Sequence, residues 1–135
     1  MIIRKYQSQD KNSLISLWEE VFPGAAPHNQ PALVLEEKLK VDDLIFVAED
    51  EGKILGACQA GYDGHRGWLY GVAVSPEQRR RGIGTDLVNT AIEELRELGC
   101  GKVNLQIRAG HTPVAEFYKT LGFEVEERLS MGRHL

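Results

Sequence analysis

One stretch constrains this chain more than any other: Leu69-Tyr70-Gly71-Val72-Ala73-Val74-Ser75-Pro76-Glu77-Gln78-Arg79-Arg80-Arg81-Gly82-Ile83-Gly84-Thr85-Asp86-Leu87. It opens apolar and β-branched, which reads as a strand. Ser75-Pro76 closes that strand, because proline has no N–H to give a central ladder. A cationic loop, Arg79-Arg80-Arg81, then leads to two glycines one residue apart. An amphipathic helix follows, with Leu87, Val88, Ala91, Ile92, Leu95 and Leu98 at helical spacing. Strand, glycine-bearing loop and helix start in this order build an anion cradle. The first N–H groups of a helix lack internal partners, and the helix dipole adds partial positive charge there. Gly82 and Gly84 can take positive φ and let a ligand approach the backbone where a Cβ would collide. The guest that fits is a phosphate or pyrophosphate.

Two phosphate loops are excluded by their own patterns. A P-loop needs a lysine directly after its second glycine, and none follows Gly82 or Gly84. A dinucleotide fingerprint needs a third glycine where Leu87 stands. What matches is Arg79-x-x-Gly82-x-Gly84, which resembles the acetyl-CoA pyrophosphate loop of the GNAT superfamily of N-acetyltransferases. A second stretch, Arg108 to Phe123, carries the likeness further. Ala115, Tyr118, Gly122 and Phe123 fall at the spacings of that family's Asn-x-x-Ala-x-x-x-Tyr-x-x-x-Gly-Phe helix, with His111 where asparagine is usual. The resemblance extends weakly along the whole chain. It implies one domain, residues 1–135, of α/β class with a twisted mixed sheet of six to seven strands and helices on both faces.

Bulk properties agree with a compact domain of this kind. A length of 135 residues suffices to bury a core, and 42% hydrophobic with 27% charged residues is ordinary for a globular chain. A net charge of −4 speaks against general nucleic-acid binding, which needs a basic face. Cys58 and Cys100 have no metal-ligand spacing around them and read as small reduced core residues, so no metal site is expected. Met1-Ile2-Ile3-Arg4-Lys5 starts no long apolar run, which reads as no signal peptide, no membrane span and a cytoplasmic protein.

Along the chain, Ile2 to Tyr6 reads as a strand, and Ser8 or Asp10 as the cap of a helix with Leu14, Ile15, Leu17, Trp18, Val21 and Phe22 on its apolar face. A proline-stiffened loop, Gly24 to Pro31, precedes a helix from about Pro31 to Lys40 with Leu35 and Leu39 inward. Strands Leu44–Glu49 and Lys53–Tyr62 join at the hairpin Asp50-Glu51-Gly52, and a turn, Asp63 to Gly67, leads into Trp68–Val74. Helix Gly84–Leu98 ends at Gly99, strand Val103–Arg108 follows, then helix Pro113–Leu121 and a last strand or hairpin arm within Phe123–Arg133.

The resemblance implies acetyl transfer from acetyl-CoA to an amine by direct attack on the thioester. Main-chain groups of Val72, Ala73 and Val74 would receive the pantetheine arm like an added strand. The segment Arg79, Arg80, Arg81, Gly82, Ile83, Gly84 and Thr85 would hold the pyrophosphate. Tyr118 matches the tyrosine that protonates the departing thiolate in many members, and His111 could bond the pantetheine arm. No general base is evident: the positions where members carry a glutamate hold Trp68 and Gln106. Neutralising a lysine-type amine at pH 7 costs about 4.6 kcal/mol, an α-amine roughly 1 kcal/mol, so a low-pKa amine or a water relay is mildly favoured. His28, Asn29, Asp63, His65, Trp68 and Gln106 are the candidate acceptor-side residues. A different class of reading is a catalytically weak acyl-CoA-binding module or sensor subunit. Many proteins of this type form homodimers, and the residues leave that open.

Overall fold

Ile45, Val47 and Ala57 alternate with Phe46, Ala48 and Cys58 along neighbouring strands, and all six are buried, so the sheet they form must be covered on both sides. The computed structural model describes all 135 residues, Met1–Leu135. Its contacts group into two compact units, Met1–Leu105 and Gln106–Leu135. The first contains β1 (Ile2–Lys5), β2 (Ile45–Asp50), β3 (Lys53–Tyr62), β4 (Gly67–Val74) and β5 (Val103–Leu105), lying side by side in chain order. Strands β1 to β4 are antiparallel neighbours, and β5 joins β4 in parallel. The hairpin between β2 and β3 turns through Glu51 and Gly52, both at positive φ, which matches the twist of the flanking strands.

One face is covered by α1 (Lys11–Val21) and α2 (Pro31–Leu39), whose Leu14, Leu17, Trp18 and Leu35 meet Ile45, Val47, Ala57 and Ala73. The other is covered by α3 (Ile83–Glu97) through Ile83, Leu87, Val88, Ala91 and Leu95. That helix lies hard on the strands. A Cβ at Gly56 would come within 3.0 Å of the Leu87 Cδ1, and one at Gly67 within 3.0 Å of the Leu95 Cδ1. The second unit holds α4 (Thr112–Thr120), closed by Gly122 at φ +93 with the Phe123 N–H donating to the Tyr118 carbonyl.

Several expectations are corrected. The sheet has five strands, not six to seven. β5 stops at Leu105 instead of reaching Arg108. No strand forms in Phe123–Arg133, where Val125, Leu129 and Met131 are exposed; alternation yields a strand only when one face is buried and an edge is available. Leu39 is exposed and Lys38 is buried in its place, its ammonium bonded to the Ala60 carbonyl and 2.6 Å from Asp42. Cys58 is a core residue, its thiol pushed up to about 12 by burial, but Cys100 is only half-buried.

Asp10 does not cap α1 through its side chain. Its carboxylate turns back to accept from the Gln7 N–H at 2.8 Å and from the two terminal guanidinium nitrogens of Arg4 at 2.8 and 2.9 Å. The Arg4 hydrogen bond, supported by the Gln7 amide, holds this carboxyl below its ordinary value. Its stabilisation is therefore complete above the unfolded value near 3.9 and is lost as pH falls through the lowered folded one. Asp10→Ala is expected to lose about 2 kcal/mol at pH 7, because it leaves Arg4 half-buried without this partner. In denaturant titrations the gap from wild type should close as pH drops below about 4.

Candidate active site

β4 runs beside β5 only from Gly67 to Leu69, paired with Val103, Asn104 and Leu105. From Tyr70 to Val74 no strand of the sheet pairs with that side of β4. The Ser75 N–H donates to the Leu55 carbonyl at 2.8 Å, so the alternation of an antiparallel ladder turns the main-chain groups of Val74 and Val72 away from β3. They face the open side, while Ala73 pairs with Ala57 and buries its methyl group. A register shift in β4 sets Gly71 and Val72 together against Cys58, and Gly71 adopts φ +60.

The chain then enters the cationic loop. Pro76–Gln78 forms one turn of 3-10 helix, Arg80 takes φ +68, and Gly82 takes φ +76 immediately before α3. A non-glycine residue at positive φ is strained by about 1 kcal/mol or more, and such strain gathers at ligand-binding turns. The Asp86 N–H reaches the Gly82 carbonyl at 3.0 Å, so the amides of Ile83, Gly84 and Thr85 precede the helical ladder. No side chain caps them. A Cβ at Gly82 would meet nothing within 4 Å, so the space before these amides is open. Gly84 does not use its left-handed freedom: α3 begins at Ile83, which leaves Gly84 in ordinary helical backbone, and Arg80 takes the second left-handed position. Arg81 bonds Gln78 and lies 4.0 Å from Asp50, and all three arginines, Arg79, Arg80 and Arg81, are exposed.

The acceptor-side candidates fall into separate places. Asp63 builds its own turn: one carboxylate oxygen accepts from the His65 and Arg66 N–H groups at 2.7 Å each, the other from the Trp68 indole at 3.3 Å. Those bonds, the Arg66 amide first, hold its carboxyl below the ordinary value, which makes it a poor proton acceptor. His65 is exposed beside Arg66. His28 and Asn29 lie exposed in the 3-10 turn Pro27–Asn29 ahead of α2. In the second unit, His111 sits at the N-cap of α4 without a side-chain cap bond, and Gln106 hydrogen-bonds Ser130. The Tyr118 ring packs edge-on against Phe117 and Phe123, centroids 5.0 and 5.6 Å away.

Residues that sequence reasoning passed over cluster on the α1/α2 face of β3 and β4. Tyr70 is 41% exposed, and the Lys38 ammonium lies 5.4 Å from its ring centroid. Trp18 donates its indole N–H to the Gly71 carbonyl at 3.2 Å. Gln59 is buried next to the same glycine. One signal was available: an isolated glycine inside a strand pattern, here Gly71, marks a bulge.

Comparison with known proteins adds an independent line. A family model described as the acetyltransferase (GNAT) family matches residues 11–123. An acetyltransferase of Sodalis glossinidius is 37% identical over 137 aligned residues, covering 100% of this chain and 96% of that protein. Among solved structures, a putative acetyltransferase from Agrobacterium tumefaciens superposes with a TM-score of 0.83 at 23% identity, covering 99% of this chain and 100% of the other. An aminoglycoside N-acetyltransferase in complex with CoA gives 0.83 at 24% identity, covering 98% of this chain and 93% of its own. At those identities the two structures speak for the fold.

Proposed function

The chain belongs to the GNAT acetyltransferase family, and from that premise we propose that it moves the acetyl group of acetyl-CoA to a primary amine by direct attack on the thioester. The amine nitrogen forms the new bond to the acyl carbon, the carbon–sulfur bond breaks, and the thiolate leaves with a proton to be supplied. One observation carries this reading. β4 leaves an open side at Val72 and Val74, and after the Pro76–Gln78 turn and the arginine loop the chain enters the uncapped start of α3. An extended arm ending in a diphosphate fits that sequence of groups: main-chain pairing along the strand, then amides and arginines at the turn. Val72, Ala73 and Val74 would take the arm. Arg79 and Arg80 would add charge, and the amides from Gly82 to Thr85 would hold the phosphates, with Arg81 bonded to Gln78.

The whole chain is read as one catalytic domain, residues 1–135. Tyr118 is assigned the role of acid, and His111 a contact with the arm. Deprotonation of the amine falls to no carboxylate identified above. Trp68 and Gln106 cannot accept a proton at neutral pH, and the Asp63 carboxylate is engaged by its own turn. An acceptor that costs only about 1 kcal/mol to neutralise at pH 7 is therefore expected, such as an α-amine, with His28, Asn29, His65 and Trp68 as candidate contacts. The test is a panel of amines assayed by thiol release, alongside calorimetric titration with coenzyme A. Turnover with low-pKa amines above the hydrolysis background is the expected result. Coenzyme binding with slow hydrolysis alone across the panel would instead establish an acyl-CoA-binding module.

A further inference from the structure

The bulge in β4 is flanked on one side by Trp18, a core residue of α1, and by Gln59, a buried polar residue of β3. Gly71 sits at φ +60, and a Cβ there would lie 2.7 Å from the Gln59 Nε2 and 3.6 Å from the Trp18 Nε1. The Trp18 indole, 3% exposed, donates to the Gly71 carbonyl at 3.2 Å. Gln59, 2% exposed, stands opposite Tyr70 on β3 with its amide nitrogen end against the glycine. Its other end is the anomaly. The Gln59 Oε1 is buried and accepts no hydrogen bond. Such an orphan destabilises a folded protein, and a methionine of nearly the same shape would avoid it.

We propose that Gln59 and Trp18 are positioning residues that together fix the Gly71–Val72 bulge, so that the main-chain groups of Val72 are held at one angle on the open side of β4. The proposal rests on the acetyl-transfer reading above, in which that side receives the thioester arm. A main-chain donor stabilises developing charge best when it cannot relax, and misplacement by about 1 Å can cost on the order of a hundredfold in rate. The indole fixes the Gly71 peptide by its carbonyl, and the rigid planar carboxamide stands against the glycine, where a methionine's flexible thioether would let it shift. The buried orphan oxygen is then stability given up to hold this geometry, a trade that recurs at functional sites.

The test uses the full-length protein and two variants, Gln59→Met and Trp18→Phe. Three quantities are read: kcat and KM by thiol release, coenzyme A affinity by calorimetry, and the midpoint of thermal unfolding. Gln59→Met is expected to unfold no earlier than wild type, yet to lose about tenfold in kcat with coenzyme affinity retained. Trp18→Phe should show the same split between kcat and affinity, with a lower midpoint because the Gly71 carbonyl loses its donor. A residue that only packs would move the midpoint and leave kcat alone. Wild-type kcat in both variants, parallel losses of kcat and coenzyme affinity, or a Gln59→Met protein that unfolds earlier or does not fold would each overturn the proposal. A wild-type protein that binds no coenzyme removes the acetyl-transfer reading and this inference with it. One that turns over normally beside unaffected variants removes this inference alone.

Discussion

Gly82→Asp is expected to abolish coenzyme A binding while leaving the protein folded. Gly82 lies at φ +76 just ahead of the amides of α3, and a Cβ added there touches nothing within 4 Å. No clash therefore opposes the substitution. Aspartate is among the L residues least strained in the left-handed region, so the backbone cost is about 1 kcal/mol. A carboxylate at a helix start returns a few tenths to about 1 kcal/mol, and the unfolding midpoint should move little. Binding is another matter. A carboxylate about 4 Å from a phosphate charge repels it by roughly 4 kcal/mol at an effective dielectric near 20, a factor of about a thousand. Gly82→Asn has nearly the same shape without the charge and should keep most of the affinity. Calorimetric titration of both variants reads the difference. If Gly82→Asp binds as wild type does, the turn before α3 is not where the diphosphate rests.

The elements that were legible in the sequence are those whose signals are local. β3 runs from Lys53 to Tyr62 as its alternation and bounding turns indicate, and β4 and α3 begin within a residue of expectation. Ser75-Pro76 and Gly82 mark their positions by chemistry that no distant contact needs to supply. Long-range register was not legible. β5 was overextended because Val103–Arg108 looks like a strand wherever it lies, while only three of its residues find a partner on β4. Lys38 replaced Leu39 in the interior because the carbonyl of Ala60 and the carboxylate of Asp42 stand ready for its ammonium, and neither is predictable from helical periodicity. The same holds for the site. The arginine and glycine loop announces itself, but Trp18 and Gln59 meet Gly71 only because α1, β3 and β4 fold together. Asp63, read as an acceptor-side carboxylate, is engaged by two amides within its own turn, a local pattern that an aspartate followed by glycine could have suggested.

Tyr118→Phe is expected to lower turnover at least about tenfold with affinity for acetyl-CoA retained. The ring is held edge-on between Phe117 and Phe123, contacts that phenylalanine reproduces, so the substitution removes the hydroxyl and little else. Breaking the carbon–sulfur bond releases a thiolate whose conjugate acid titrates near 8.5, while a phenol titrates near 10. Proton transfer between them in water is thus uphill by about 2 kcal/mol. Such an acid is useful only while charge is building on sulfur, when a placed O–H stabilises the transition state more than the bound thioester. That asymmetry is what the kinetics can resolve. A fall in kcat with the KM for acetyl-CoA unchanged marks an interaction made in the transition state. A rise in KM at constant kcat marks a hydroxyl that merely contacts the bound coenzyme. A fully active variant would remove Tyr118 from the chemistry and leave proton supply to water.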